Sequence, residues 1–301
     1  MRTGKKIALG FLGTVLLLAT GFRLRYGSNA PVFDEALYAV DPAPYRPFDV
    51  SAWARVLARR VDEQGRVDFA GLAADGEDLE RFLRQAAFLA PAELAAFPAE
   101  QRLGFWIDVF HAGVLRAVAR SYPIEPDLFL QIPFPANSVK QIHRLKFFRR
   151  EQLLVAGERL SLQEIEDRKI WDEHRDLRSL FALHRAAQSS PPLVRSPYFG
   201  SALGERLDSH VRAFLASEQG LRWNEARKTL ALSRLFEWNE ARFLEVAGSG
   251  EEIPGYKAEG AAMLRFALRY APEEQAARIR RGGFALDAFG FDWALVEART
   301  H

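Results

Sequence analysis

The run from Val155 to Glu166, Val-Ala-Gly-Glu-Arg-Leu-Ser-Leu-Gln-Glu-Ile-Glu, constrains the fold more than any other stretch. It reads as the end of a β-strand, a Gly157-Glu158 turn, and a helix that opens at Ser161 with Glu164 three residues on. That spacing is a capping box. The Ser161 hydroxyl meets an orphan backbone N–H, and the Glu164 carboxylate reaches back to the N-cap amide. A chain that passes from strand to helix in so short a span belongs to a mixed architecture. Strands at Gln152 to Ala156 and Leu180 to Leu183 are expected on either side of this helix.

Elsewhere the periodicity is mainly helical. Ser51 is a plausible N-cap ahead of Trp53, Val56 and Leu57, and Val61 to Phe69 suggests a turn with a short strand. Leu79, Phe82, Leu83 and Ala86 form the i, i+3, i+4 stripe of an amphipathic helix. A longer helix is predicted from Ala99 through Arg120, stopped by Tyr122-Pro123. Further helices are expected at Leu203 to Glu218, Glu237 to Ala247 and Glu259 to Tyr270, with a strand at Thr229 to Leu232. The fold class is therefore α+β, a helix-rich single domain with a small sheet over residues 51–301.

The N-terminus points to a place. Met1 to Lys6 is basic, and Ile7 to Phe22 is uncharged and mostly apolar. As a helix those residues would span roughly 24 Å, short of the bilayer core of about 30 Å but workable if Lys6 and Arg23 snorkel. A cleaved signal peptide is the rival, but its best small-residue site, Ser28-Asn29-Ala30, is followed by Pro31. Residues 1–25 are read as an N-terminal transmembrane anchor with the body outside. Five of the 41 basic residues fall in that segment with no acid, which leaves 36 against 39 acidic ones and a body near −3. That balance offers no footprint for nucleic acid.

Residues 26–50 form a Pro/aromatic tether. Pro31, Pro42, Pro44 and Pro47 interrupt helix, and Phe33, Tyr38, Tyr45 and Phe48 recur too often for a free linker. They are expected to pack on the body or on a neighbour. The segment Ile124 to Ser138 is also unusually apolar, with Phe129 and Phe134 in it, and is either tucked under the fold or a docking surface. Phe33, Tyr38, Tyr45, Phe129 and Phe134 are the partner-binding candidates.

The capping-box segment joins three others, Phe105-Trp106-Ile107-Asp108, Leu232 to Trp238 (Leu-Ser-Arg-Leu-Phe-Glu-Trp) and Phe291-Asp292-Trp293-Ala294-Leu295. In order and spacing, from roughly Phe48 to the C-terminus, these resemble the domain of unknown function 547 family of the bacterial envelope. The resemblance implies a fold and also exposes a loss. Family members carry Phe-Ala-Leu-x-Cys-Ala-Ser-x-x-Cys-Pro-Pro-Leu, whereas here Phe181 to Leu193 has Arg185 and Ser190 at the two cysteine positions. The chain contains no cysteine at all, so a thiolate nucleophile is impossible. The family's Phe-Trp-Ile-Asn-x-Tyr-Asn pattern has likewise become Asp108, Phe110 and His111.

Several constellations remain for chemistry. Asp108 and His111 share a helix face and form either an acid–base pair or a buried structural pair. His184 could activate Ser189 or Ser190, although no Gly-x-Ser-x-Gly surrounds them and Pro191-Pro192 stiffens the turn. Arg185 adds a bulky charge to the same pocket. Glu166 is a paired or solvated carboxylate with some freedom to reach a cleft. No ligand spacing implies a metal, and no motif implies a cofactor. The sequence favours a membrane-anchored extracytoplasmic, non-catalytic binding or structural subunit associated with an integral-membrane protein complex. The alternative is an envelope hydrolase or transferase with a Ser/His or Asp/His site.

Overall fold

The computed structural model describes residues 30–127, 130–250 and 252–298. The expected anchor at residues 1–25 and the loop residue Phe129 lie outside them. Among the described residues no helix is long and apolar enough to cross a membrane.

Three helices and a hairpin build the larger core. Helix α1 (Ser51–Arg60) buries Trp53, Val56 and Leu57, and α2 (Glu77–Phe88) buries the expected stripe of Leu79, Phe82, Leu83 and Ala86. The N-terminus of α1 is held by Asp49, whose Oδ1 accepts from the Ser51 amide at 2.7 Å, so Asp49 takes the capping role expected of Ser51. Helix α3 (Ala99–Arg120) is buried without a break from Leu103 to Ala119. A helix buried on every side must be a central one, and α1, α2 and the hairpin all pack around it. The hairpin pairs β1 (Gln152–Val155) with β2 (Glu158–Ser161), Leu153 opposite Leu160. Its turn residues Ala156 and Gly157 both have positive φ, 47° and 79°, as a tight two-residue hairpin turn requires.

The capping box at Ser161 is complete in both directions: the Glu164 amide donates to Ser161 Oγ at 3.2 Å, and the Ser161 amide donates to Glu164 Oε2 at 2.8 Å. After one α-turn this helix widens into a π-helix over Ile165–Asp172. The expected strand at Leu180 to Leu183 is not formed. Leu177–Phe181 is a 3₁₀ helix instead, because its alternate residues do not divide into an inner and an outer face: Leu177, Ser179, Leu180 and Phe181 are all buried.

A second core follows. Helix α4 (Leu203–Ala216) leads to a three-stranded sheet in which β3 (Leu221–Asn224) is antiparallel to β4 (Thr229–Leu232) and β5 (Ala285–Ala288) is parallel to β4. Between β4 and β5 run α5 (Arg234–Trp238), α6 (Glu240–Ala247), α7 (Ala258–Tyr270) and α8 (Glu273–Arg281). The single helix expected at Glu237 to Ala247 is broken at Asn239, whose Nδ2 donates back to the Leu235 carbonyl at 2.8 Å. Phe181 is the hub of this core, with Phe214, Phe236, Phe243 and Phe266 rings 5.1–6.2 Å away. Mixed elements with two small sheets make the fold α+β.

The segment before α1 packs on the body as a fixed part of it. Val32 makes a parallel bridge beside Glu151, donating to the Arg150 carbonyl at 2.7 Å and accepting from the Gln152 amide at 2.9 Å. Asp34 pairs with Arg116 of α3 at 2.5 Å. Phe33 stacks on Tyr38 at 5.4 Å, and Tyr45 lies against Phe88 at 6.0 Å.

Candidate functional site

Three of the sequence candidates for chemistry gather at α3 in a sealed cluster. Asp108, His111 and His184 are each 1 % exposed. Asp108 faces no cation at bonding distance among the described residues. Its Oδ1 accepts from Trp53 Nε1 and the Tyr198 amide, both at 2.9 Å, and its Oδ2 accepts from the Phe199 amide at 2.7 Å. The backbone of Tyr198 can come so close because Gly104, one turn earlier, has no side chain. A Cβ there would stand 2.6 Å from the Tyr198 carbonyl oxygen. Burial pushes the Asp108 carboxyl up to about 7 against the opposing pull of its three donors.

His111 and His184 meet through the backbone. The His184 amide lies 3.0 Å from His111 Nε2, and the Ala182 carbonyl lies 3.1 Å from the same nitrogen. A bare Nε2 accepts from His184 and leaves the proton on Nδ1, which has no partner; a protonated Nε2 leaves the His184 amide without an acceptor. His184 Nδ1 donates to the Pro191 carbonyl at 2.8 Å, so its bare Nε2 is a buried base with no donor facing it. Burial holds His184 down at about 4 and His111 well below the usual histidine range. Asp108 and His111 therefore serve as separate structural anchors on one helix face, and no hydrogen bond joins them among the described residues.

Ser190 is 3 % exposed, and its Oγ accepts from the Arg185 amide at 3.1 Å and the Ala187 amide at 3.4 Å. Ser189 Oγ accepts from the Asp292 amide at 2.9 Å, tying in the C-terminal segment. Among the described residues no hydrogen bond joins His184 to either serine. Both hydroxyls satisfy a turn.

Arg185, one residue along from His184, faces the opposite way. Its Nη2 donates to Glu166 Oε1 at 2.6 Å, and Arg242 Nη1 approaches the same oxygen at 3.7 Å. Arg242 also bonds Asp167 at 2.5 Å. The two acids come from the π-helix, a form often found at functional positions. Together with Lys140, Trp238 and Trp293 they line an open cleft of about 370 Å³. Lys140 Nζ sits 3.6 Å from the Trp293 ring centroid. Burial, with the Arg185 charge second, pushes its ammonium down to about 8. Trp238 is 46 % exposed and stacks on Trp293 at 5.6 Å. Among the described residues no group of three or more His, Asp or Glu could hold a metal ion.

Residues 94–215 match the family described as "Protein of unknown function, DUF547". This segment is assigned to that family. The match takes in α3, the capping box, the altered cysteine segment and α4, and ends before Leu232 to Trp238 and Phe291 to Leu295. No curated protein and no solved structure matches the chain. The DUF547 description carries no activity, so any chemistry has to come from the residues.

The partner candidates of this DUF547 chain divide. Tyr38 is buried, and Phe33 and Tyr45 are half-buried under Arg159, Arg81 and Arg84 of the body. Phe134 is half-buried, 5.9 Å from Lys140 Nζ, while Ile132 beside it is 93 % exposed. Gln141 pins this loop by accepting from the Asp127 amide at 3.0 Å and donating to the Pro135 carbonyl at 3.0 Å. Of the cleft residues, sequence reasoning singled out Glu166 and Arg185 but missed Lys140 and Arg242. No local pattern marks those two; the only signal was the charge deposited at the lost cysteine, which had to meet an acid somewhere.

Proposed function

We propose that this chain is a membrane-anchored, extracytoplasmic binding or structural subunit without covalent catalysis, associated with an integral-membrane protein complex of the inner membrane. One observation carries the reading. Every side chain at the positions of the family's nucleophile segment is committed elsewhere: Arg185 to Glu166, Ser190 to two backbone amides, and His184 to Pro191. A nucleophile needs an accessible hydroxyl with a base in reach, and a base held near 4 behind a sealed surface is a poor partner for one.

The way the chain enters the body also supports the anchor. Because Val32 is already fixed beside Glu151, the link from Phe22 to Ala30 extends at most roughly 26–29 Å, far less than a tether running to Val50. Arg150 donates to the Ala30 carbonyl at 2.8 Å, so the entry point lies beside the basic Arg144 to Arg150 segment, where Arg149 and Leu145 are exposed. Such a surface suits an anionic headgroup layer. Ile132 and Phe134 are the best-placed apolar contacts for a partner.

The test is a serine-directed fluorophosphonate probe on the solubilised full chain, together with fractionation. The reading expects no labelling and retention of the chain in membranes through a high-salt wash, since apolar insertion is not screened by salt. Labelling at Ser189 or Ser190 would return the hydrolase alternative, and release by salt or a mature N-terminus near Pro31 would remove the anchor.

A further inference from the structure

We infer that the open cleft between Lys140, Arg185, Trp238 and Trp293 binds a small organic monocarboxylate with a flat apolar flank. This goes beyond the subunit reading above and does not rest on the anchor; the cleft shares only Phe134 with the loop offered to a partner.

The charge of the lining fixes the sign and size of the ligand's charge. Three cations, Lys140, Arg185 and Arg242, face two acids, Glu166 and Asp167. Glu166 takes both guanidinium groups and Asp167 takes Arg242 a second time. Lys140 is left over. Its Nζ has no hydrogen-bond or ion-pair partner among the described residues, and its close neighbours are the faces of Trp293 and Phe134. A cation held over two rings beside an arginine is half-desolvated without a counter-charge, and a bound carboxylate supplies one. A phosphate dianion matches less well, since its second charge would stand against Glu166 and Asp167. Burial and Arg185 both push the lysine toward neutrality, so an incoming anion would restore its proton.

The aromatic wall fixes the rest of the ligand. Trp238, Trp293 and Phe291 form an aromatic group with centroids 4.5–5.6 Å apart, and its most exposed ring, Trp238, is 46 % exposed and lines the cleft. A large indole face left open next to an unpaired ammonium fits a planar apolar group attached to a carboxylate. A volume of about 370 Å³ lies within the range of small-molecule sites. The acids that trim the charge to one come from the π-helix, whose wide turn places Glu166 and Asp167 side by side on the cleft wall.

The experiment is calorimetric titration of the full chain, solubilised in detergent at pH 7 and low salt, with 2-naphthoate, 2-naphthamide and 2-naphthyl phosphate. The Lys140→Met and Trp238→Ala variants run in the same detergent remove the heat of partition into micelles. One saturable site for 2-naphthoate is expected, with the amide and the phosphate at least tenfold weaker. Lys140→Met should weaken naphthoate at least tenfold and Trp238→Ala several-fold, and naphthoate binding at pH 8 should take up protons from buffer. Trp238 is exposed, so its variant tests the site even if Lys140→Met fails to fold. No saturable heat above that of the variants, equal affinity for naphthoate and its amide, or tighter binding of the phosphate would each overturn the assignment.

Discussion

His184 and Arg185 are neighbours in sequence and stand on opposite sides of one wall. On the His184 side, the polar groups are sealed, lack counter-charges, and are held by backbone amides and carbonyls. On the Arg185 side, they are charged and paired through shared carboxylates, with Arg185 and Glu166 themselves buried at the wall of an open cleft. The sealed side uses ionisable residues as shaped hydrogen-bond partners and suppresses their charge through burial. The open side keeps its charges by balancing them, all but one. The altered cysteine segment thus belongs to two different environments, and its residues cannot be read as one site.

That contrast can be broken most forcefully at Asp108. Asp108→Ala leaves the Trp53 indole N–H and the Tyr198 and Phe199 amides without acceptors in a dry interior, at about 1–3 kcal/mol for each orphaned group. A loss of at least 3 kcal/mol in urea unfolding is expected, and a loss below about 1 kcal/mol would show that water enters the cluster. Asp108→Asn should also destabilise, although the resemblance places Asn at this position in the family, because the Phe199 amide would then face an NH₂ group.

The pH response tests the suppressed charge. His184 and His210 are held near 4 in the folded chain against about 6.5 unfolded, and His111 is depressed as well. Their contribution is full above pH 6.5 and is lost as pH falls toward 4, because the unfolded chain takes up the protons. Asp108, raised to about 7, has the opposite sign: its contribution is full below pH 3.8 and fades as pH rises to 7. Three histidines outweigh one carboxyl, so the melting temperature should fall between pH 6.5 and 4, and fall more steeply in Asp108→Asn. A flat profile in both proteins would mean that the imidazoles are solvated.

Smaller effects belong to the open side. Arg185→Met leaves Glu166 with Arg242 at 3.7 Å, and should cost about 2 kcal/mol, less than an unshared buried pair. Adding Glu166→Gln should recover part of that loss in a double-mutant cycle. Asp167→Asn breaks only a half-exposed pair and should stay below about 1 kcal/mol. If Arg185→Met proves as costly as Asp108→Ala, the two sides of the wall are not energetically distinct.

What could be read from sequence follows the range of the forces involved. Local signals were legible: the capping box at Ser161, the stripe on α2 and the limits of α3 all rest on contacts within a few residues. The hairpin strand at Gln152 was legible for the same reason. Leu180 to Leu183 was misread because a run buried on all sides has no period to tell a strand from a 3₁₀ turn. The break at Asn239 depends on a single side chain folding back onto Leu235. The candidate site was half legible. The sequence could show that Asp108 and His111 share a face, but their true partners, Tyr198, Phe199 and Ala182, arrive from about 70 to 90 residues away. Lys140 meets Trp293 across an even longer stretch of chain.

The manner in which the chain joins the body has a mechanical consequence. Tension applied ahead of Ala30 would first meet the Arg150 side chain on the Ala30 carbonyl, then the two backbone bonds of Val32, then the Asp34–Arg116 pair at the flank of α3. These holds lie in sequence along the segment, so they release one at a time. The arrangement works like the strain relief on a cable, yielding in steps before any load is felt by the central helix or by the wall that divides His184 from Arg185.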